Sequence, residues 1–280
     1  MDSLTSSSGL EAGSQKSFSR RRSRIAISMV GLLILLIPAV VFNTSILNRE
    51  PPTLVIRVDD IQDFGFREAQ LFLLNESMIN DVPLSLAIIA GMFGEDREIV
   101  QTVKLAVSSG SEVTVHGWEH GDLAQLSFKD QKALLSQSRS RIKEIFGVDA
   151  GVLVPPMFSF NEDTITAMYE EGYHVISTLV DFSEPGPVSN VISLPATVEL
   201  SDFSNGIWNM KNPDSVKIEI ARSVKKYGFA VIVTHPQEFI SDGKLSPLAT
   251  ESYRALLSSL KEDYSFKTLG KLSENWPSTR

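Results

Sequence analysis

Two adjacent carboxylates, Asp59 and Asp60, and two histidines spaced as His116-x-x-x-His120 are the side chains of this chain best suited to chemistry. Asp60, His116 and His120 together offer one hard oxygen and two imidazole nitrogens, with room left for water. That is the ligand set of a catalytic metal site rather than a closed structural one. The four-residue spacing puts both imidazoles on one face of a helical turn. Asp59 is then the spare carboxylate, free to move protons. The competing reading is a solvated turn beside an ordinary polar loop, and the surrounding elements decide between the two.

Those elements alternate. Residues 54–58 read as a buried strand, apolar except for Arg57, that ends at Asp59. A helix over 66–80, with Ala69, Leu73 and Ser77 inward, leads to a strand over 83–89. A helix over 95–108 leads to a strand over 112–115 that ends at His116. A long helix over 128–146 stops at Gly147, as a left-handed cap requires. A short strand over 151–154 runs into Pro155-Pro156, and Asn161 caps a helix that ends at Gly172. A strand over 173–177, a helix over 214–227, a strand over 229–234 ending at His235, and a helix over 252–261 complete the series. Repeated strand–helix units of this length predict a parallel, barrel-like α/β domain. Asp59, His116, Pro155 and His235 each follow the C-terminal end of a strand, the rim where barrels collect functional residues. Within the same segments, His174 reads as a structural histidine in an apolar strand and Asp63 as a turn cap.

The 280 residues carry a formal charge of −8. Residues 1–24 hold five basic against two acidic side chains, so the rest stands at −11. Such an acidic body lacks the clustered Lys and Arg that phosphate contacts require, which excludes nucleic acid as a partner. The sequence points to no protein partner. Residues 25–42, uncharged and mostly apolar, would make a helix about 27 Å long, close to the roughly 30 Å of bilayer hydrocarbon. An uncleaved single-pass anchor is expected, because no small-x-small site follows the run; a cleaved signal is the alternative. With the arginines inside, the remainder lies outside the cell. The expected organisation is a disordered basic tail over 1–24, an anchor over 25–42, a linker over 43–52 and one domain over 53–280. Cysteine is absent, and an exported domain of this size can rest on its core alone. Asn43-Thr44-Ser45 and Asn75-Glu76-Ser77 fit the glycosylation pattern.

In this order, the segments resemble the polysaccharide deacetylases, the carbohydrate esterase family that includes chitin and peptidoglycan deacetylases. Val58-Asp59-Asp60 is similar to the family's first motif, which implies that Asp59 is the catalytic base and Asp60 a metal ligand. His116-Gly117-Trp118-Glu119-His120 is similar to the second, whose two histidines complete the metal site; Gly117 stands where Ser or Thr is usual. Val233-Thr234-His235 is similar to the last, whose histidine is the general acid. The third motif places an Arg before the Pro pair, where it partners the base. Val154 stands there, so the resemblance leaves Asp59 without that partner. The fourth motif is echoed by Thr178-Leu179-Val180-Asp181-Phe182, which offers Asp181 as an orienter of His235.

The resemblance implies an incomplete seven-stranded (β/α) barrel and a hydrolase that removes N-acetyl groups from a cell-surface or extracellular glycan. A divalent ion on Asp60, His116 and His120 would activate water and polarise the amide carbonyl. Asp59 would take the water's proton, and His235, facing it from the opposite side, would protonate the departing amine. The oxyanion would be helped by a backbone N–H near Met157. Trp118, Pro155, Pro156 and Met157 are the substrate-side candidates. Two histidines and a carboxylate suit zinc, with cobalt, iron, nickel or manganese also compatible. The alternative function is a non-catalytic carbohydrate-binding or surface-assembly protein on the same fold.

Overall fold

The computed structural model of the protein describes residues 50–204, 206–274 and 276. The basic tail, the expected anchor over 25–42 and most of the linker lie outside the described residues, among which no helix is long and apolar enough to cross a membrane. Thr53–Ile61 forms β1, followed by Leu84–Ile88 (β2), Glu112–Val115 (β3), Val152–Leu153 (β4) and Val175–Ile176 (β5). These five pair in parallel, each beside the next. Short strands follow at Gly186–Val188 (β6), Val191–Ser193 (β7), Val198–Glu199 (β8), Ser201–Ser204 (β9) and Ile207–Met210 (β10), before Phe229–Thr234 (β11). β11 lies against the free side of β1 in parallel, with Val58 opposite Thr234. The sheet is curled, mostly parallel and flanked by helices. β7 pairs with β5 while β8 pairs with β11, so one short stretch of chain links both ends of the sheet. Within it, Ala196 donates its N–H to Thr178 and Thr197 donates to Val231.

Helices fill the intervals at Arg67–Asn80, Arg97–Ser108, Phe128–Phe146, Glu162–Glu170, Pro213–Tyr227 and Pro247–Leu260. Local chemistry sets their ends. The Ser127 hydroxyl accepts from Asp130 N–H, and Gly147 closes that helix at φ 71°. Asn161 and Thr164 form a reciprocal capping box. The helix Pro247–Leu260 begins five residues earlier than expected, because Ser246 caps it and Pro247 suits its first turn.

The two faces of the sheet carry different cores. Leu54, Ile56 and Val58 of β1 point outward into the helix-packed core. Val55 points inward, with Val152, Val175, Leu194, Ala196, Val231 and Val233. Alternation along a strand produces this split, since successive side chains face opposite sides. Burying each such side chain stabilises the fold by about 1.5–3 kcal/mol relative to exposure. At the N-terminal end of the strands, the inner core meets Leu269 and Leu272 of a five-residue helix, Leu269–Ser273. The C-terminal end is occupied by the polar residues singled out above.

Candidate metal centre and acid–base pair

A β-bulge places the two aspartates. The pairing of β1 with β2 shifts register between Val58 and Ile61, and Asp60 takes a left-handed φ of 60°. In an unbroken strand, consecutive side chains would part to opposite faces. The bulge bends the strand and leaves an extra residue unpaired, so both carboxylates can serve one site. Aspartate tolerates this conformation better than most residues.

His116 continues the inward face of β3, two residues beyond Thr114 and four beyond Glu112. Its Nδ1 lies 2.7 Å from the Val154 carbonyl. That oxygen only accepts, so Nδ1 carries the proton and Nε2 presents its lone pair. Nε2 sits 3.1 Å from Asp60 Oδ1, and His120 Nε2 sits 3.2 Å from the same oxygen. The segment between the histidines is a loop and not the helical turn that the spacing suggested. Gly117 takes φ +75°, a left-handed turn that a Ser or Thr would strain, and Gly121 N–H returns to Glu119 O. The two imidazoles meet edge-on at 5.2 Å.

One oxygen facing two ring nitrogens, one of them a lone pair, is an arrangement that a divalent cation between them satisfies. Three ligand atoms from Asp60, His116 and His120 lie within 4.8 Å of one another. Burial alone would push the Asp60 carboxyl up, but the contacts with His116 and His120 and the hydrogen bond from Gln237 hold it well below the ordinary carboxylate range. The hydrogen bond to Asp60 raises His120 against a smaller effect of burial. Gln237 Nε2 donates to Asp60 Oδ2 at 2.8 Å, a further orienting contact.

Asp59 does have a basic partner, which corrects the expectation drawn from Val154. Arg57, two residues earlier on the same inward face, donates Nε to Oδ1 at 2.8 Å and Nη2 to Oδ2 at 2.9 Å. Both side chains are buried. The signal was visible as a lone charge in an otherwise apolar strand. His235 extends the inward face of β11, and its Nε2 lies 4.0 Å from Asp59 Oδ2. The two stand side by side on neighbouring strands instead of facing one another across the site. Glu238, not Asp181, holds His235: its Oε1 accepts from both the backbone N–H and Nδ1. Asp181 is exposed in the turn after β5.

The four substrate-side candidates separate. The Trp118 carbonyl and indole lie directly over Gly91, where a Cβ would meet them at 2.6–2.8 Å, so this tryptophan packs the loop. Pro155 and Pro156 are buried, and Pro156 rests against Gly117. Met157 is exposed, with φ 54°, beside a groove of about 440 Å³ lined by Asp122, Phe158, Ser159, Phe160 and Phe182. The sequence reading missed Phe158, whose ring lies 5.5 Å beneath the Arg57 guanidinium. It also missed Trp208 of β10, which stacks on His235 at 5.0 Å. Asp63 accepts from Glu95 N–H, a cap as expected. His174 lies at the opposite end of the sheet with one side in solvent and the other over Gly151, and partial desolvation with the charge of Arg139 lowers its pKa.

Residues 48–176 match the family model of polysaccharide deacetylase. No curated protein matches the chain. Solved structures share its fold at low identity. A Mycobacterium smegmatis protein assigned to the polysaccharide deacetylases aligns with TM-score 0.61 and 16% identity, over 81% of this chain and 91% of its own. A family 4 acetyl xylan esterase from Clostridium thermocellum, solved with a cobalt ion, aligns with TM-score 0.57 and 13% identity, over 80% and 93%. A CE4 family pseudoenzyme from Bacillus anthracis aligns with TM-score 0.55 and 16% identity, over 79% and 65%. The likeness is that of a divergent member of this family, and the matched segment contains the aspartate pair and both histidines of the candidate metal site.

Proposed function

We propose that this protein is a metal-dependent hydrolase that removes N-acetyl groups from a cell-surface or extracellular glycan. The observation that carries the reading is the convergence of Asp60, His116 and His120 on one point, with Asp59 next to Asp60 in the chain and His235 4.0 Å from Asp59. The curled sheet is, on this reading, the family's incomplete seven-stranded barrel. Asp60, His116 and His120 would hold the divalent ion, zinc by preference for this donor set. When bound, such an ion supplies an acidified water and a Lewis acid for the amide carbonyl.

The chain's own residues do the rest. Arg57 grips both oxygens of Asp59 and fixes its carboxylate plane, which orients Asp59 to receive the water's proton. Glu238 at Nδ1 leaves His235 Nε2 as the atom that delivers a proton to the leaving amine. A backbone N–H near Met157 would assist the oxyanion. The groove lined by Phe158 and Phe182 is wide enough for a sugar ring, which aromatic faces accept well. The presence of a pseudoenzyme among the structural neighbours keeps a non-catalytic glycan-binding role as the alternative. The Arg57 and Glu238 contacts favour the enzyme. The apolar run over 25–42 supports a single-pass anchor with the domain outside the cell.

The deciding experiment measures bound metal and released acetate on chitin oligomers and peptidoglycan, with O-acetylated xylan as the ester control. About one divalent ion per chain together with acetate release from an N-acetylated glycan establishes the reading. A protein that holds no metal under replete conditions overturns it.

A further inference from the structure

Arg57 and Glu238 do not belong to the residues expected to surround this site, yet each makes at least four hydrogen bonds there. The Arg57 guanidinium grips both oxygens of Asp59. Its remaining amino group, Nη1, donates to the carbonyls of Ser177 and Thr178 at 3.0 and 2.8 Å and to Ser177 Oγ at 2.8 Å. It is anchored on β1 and on the end of β5 at once, fully buried. Glu238 is buried as well. Its Oε1 takes the two His235 donors, and its Oε2 accepts from Ser201 Oγ at 2.9 Å and Thr234 Oγ1 at 2.7 Å. The places where the resemblance set the supporting groups are taken by Val154, which contributes only its carbonyl to His116, and by the exposed Asp181.

We propose that Arg57 and Glu238 are the positioning residues of the acid–base pair, relocated from the rim loops after β4 and β5 to β1 and the turn that follows β11, the segments that carry Asp59 and His235. The assignment rests on the deacetylase reading above. Stability alone explains these groups poorly. A buried ion pair costs desolvation that apolar replacements avoid, and the next inward position of the same strand, Val55, is apolar. Fork-to-fork binding fixes the carboxylate plane of Asp59, which a lone cation at a distance would not. A carboxylate on Nδ1 fixes the tautomer of His235 and favours its charged form. Burial lowers His235, but the Glu238 hydrogen bond and the charges of Asp59, Glu238 and Asp60 outweigh it. The charged groups that face His235 are Asp59 and Asp60 from β1, Glu199 from β8 and Glu238 from its own segment.

The test uses the full chain, metal-replete, and three variants: Glu238→Gln, Arg57→Met and the double variant Arg57→Met with Val154→Arg. Glu238→Gln retains the shape and the hydrogen bonds while removing the charge. It should lower kcat by about 10- to 100-fold at unchanged KM and metal content, the range usual when an outer partner is lost. The His235 titration followed by NMR should move to lower pH in the same variant. Arg57→Met should lose kcat by a similar factor and recover at least ten-fold when Val154→Arg restores a guanidinium from β4. A His235 midpoint and kcat that ignore Glu238→Gln overturn the proposal. So does an Arg57→Met protein within two-fold of wild type, or a folded, metal-loaded double variant with no recovery. Melting temperature separates lost folding from lost positioning, and Glu238→Gln decides alone if Arg57→Met unfolds. If wild type releases no acetate from any glycan, the deacetylase reading fails, while the His235 midpoint still decides the role of Glu238.

Discussion

Glu112 and His116 sit on one face of one short strand, at opposite ends of the domain, and they have opposite characters. At the N-terminal end, the Glu112 carboxyl accepts from Ser85 Oγ at 2.7 Å and from Gly270 N–H at 3.1 Å, and Ser85 in turn accepts from Leu269 N–H. Gly270 approaches so closely that a Cβ there would strike Glu112 Oε2 at 2.6 Å. Every polar group finds a donor within the chain, and the helix Leu269–Ser273 covers the cluster. At the C-terminal end, Asp60 gathers two imidazoles, and buried oxygens on Gln237 and Asp63 have no protein partner. His120 leaves 42% of its side chain in solvent. A carboxylate whose bonds all close within the fold holds the sheet together, and one whose neighbours converge on a shared point is built to hold something else.

The largest contrast between the two ends should come from His116→Ala combined with His120→Ala. Bound metal should fall from about one per chain to none, with acetate release lost; metal retained in this variant would erase the distinction between the ends. Asp59→Asn comes next. It should cost about 10²–10⁴-fold in turnover at unchanged metal content. It also leaves Arg57 buried without its charge partner, so stability should drop by about 3–5 kcal/mol, visible in the melting temperature. Gly91→Ala is a smaller perturbation of the same rim. Its Cβ would press on Trp118, so about 1–3 kcal/mol of stability should be lost, and metal affinity with it, as the histidine loop shifts.

Glu112→Gln should have the smallest effect and leave turnover unchanged. Burial raises the Glu112 carboxyl above the ordinary glutamate value of 4.5. The folded state therefore holds its proton more tightly than the unfolded chain. That contribution is complete below about 4.5 and is lost as pH rises through the folded value. Wild type should lose stability relative to Glu112→Gln between acid and neutral pH, with a difference at neutrality of no more than about 1.5 kcal/mol. A turnover defect in this variant would show that the lower cluster takes part in the chemistry.

Much of the scaffold was readable because its signals are local. The strands Glu112–Val115 and Phe229–Thr234 and the helix Phe128–Phe146 lie where the apolar runs, Gly147 and Gly228 put them. The hairpin of β9 and β10 gave no such signal. Its strands are short and mostly exposed, and its importance comes from Trp208 reaching His235. The histidine spacing suggests a helical turn, whereas the left-handed Gly117 makes it a loop. Arg57 and Glu238 stand two and three positions along the chain from the residues they support. Nothing in the sequence alone ranked them above Val154 and Asp181, because their value is set by burial and by which neighbours they reach.

The sequence by itself determined the alternation of strand and helix, the inward and outward faces of each strand, and the candidate ligands Asp60, His116 and His120, since periodicity and residue type are properties of short segments. Tertiary structure decided the rest. It placed β11 against β1, so that Asp59 and His235, 176 positions apart, stand within 4.0 Å. It turned Asp60 through a bulge onto the site and aimed the Val154 carbonyl at His116 Nδ1. Such distances depend on how the whole sheet curls, a sum over packing contacts that no local pattern encodes.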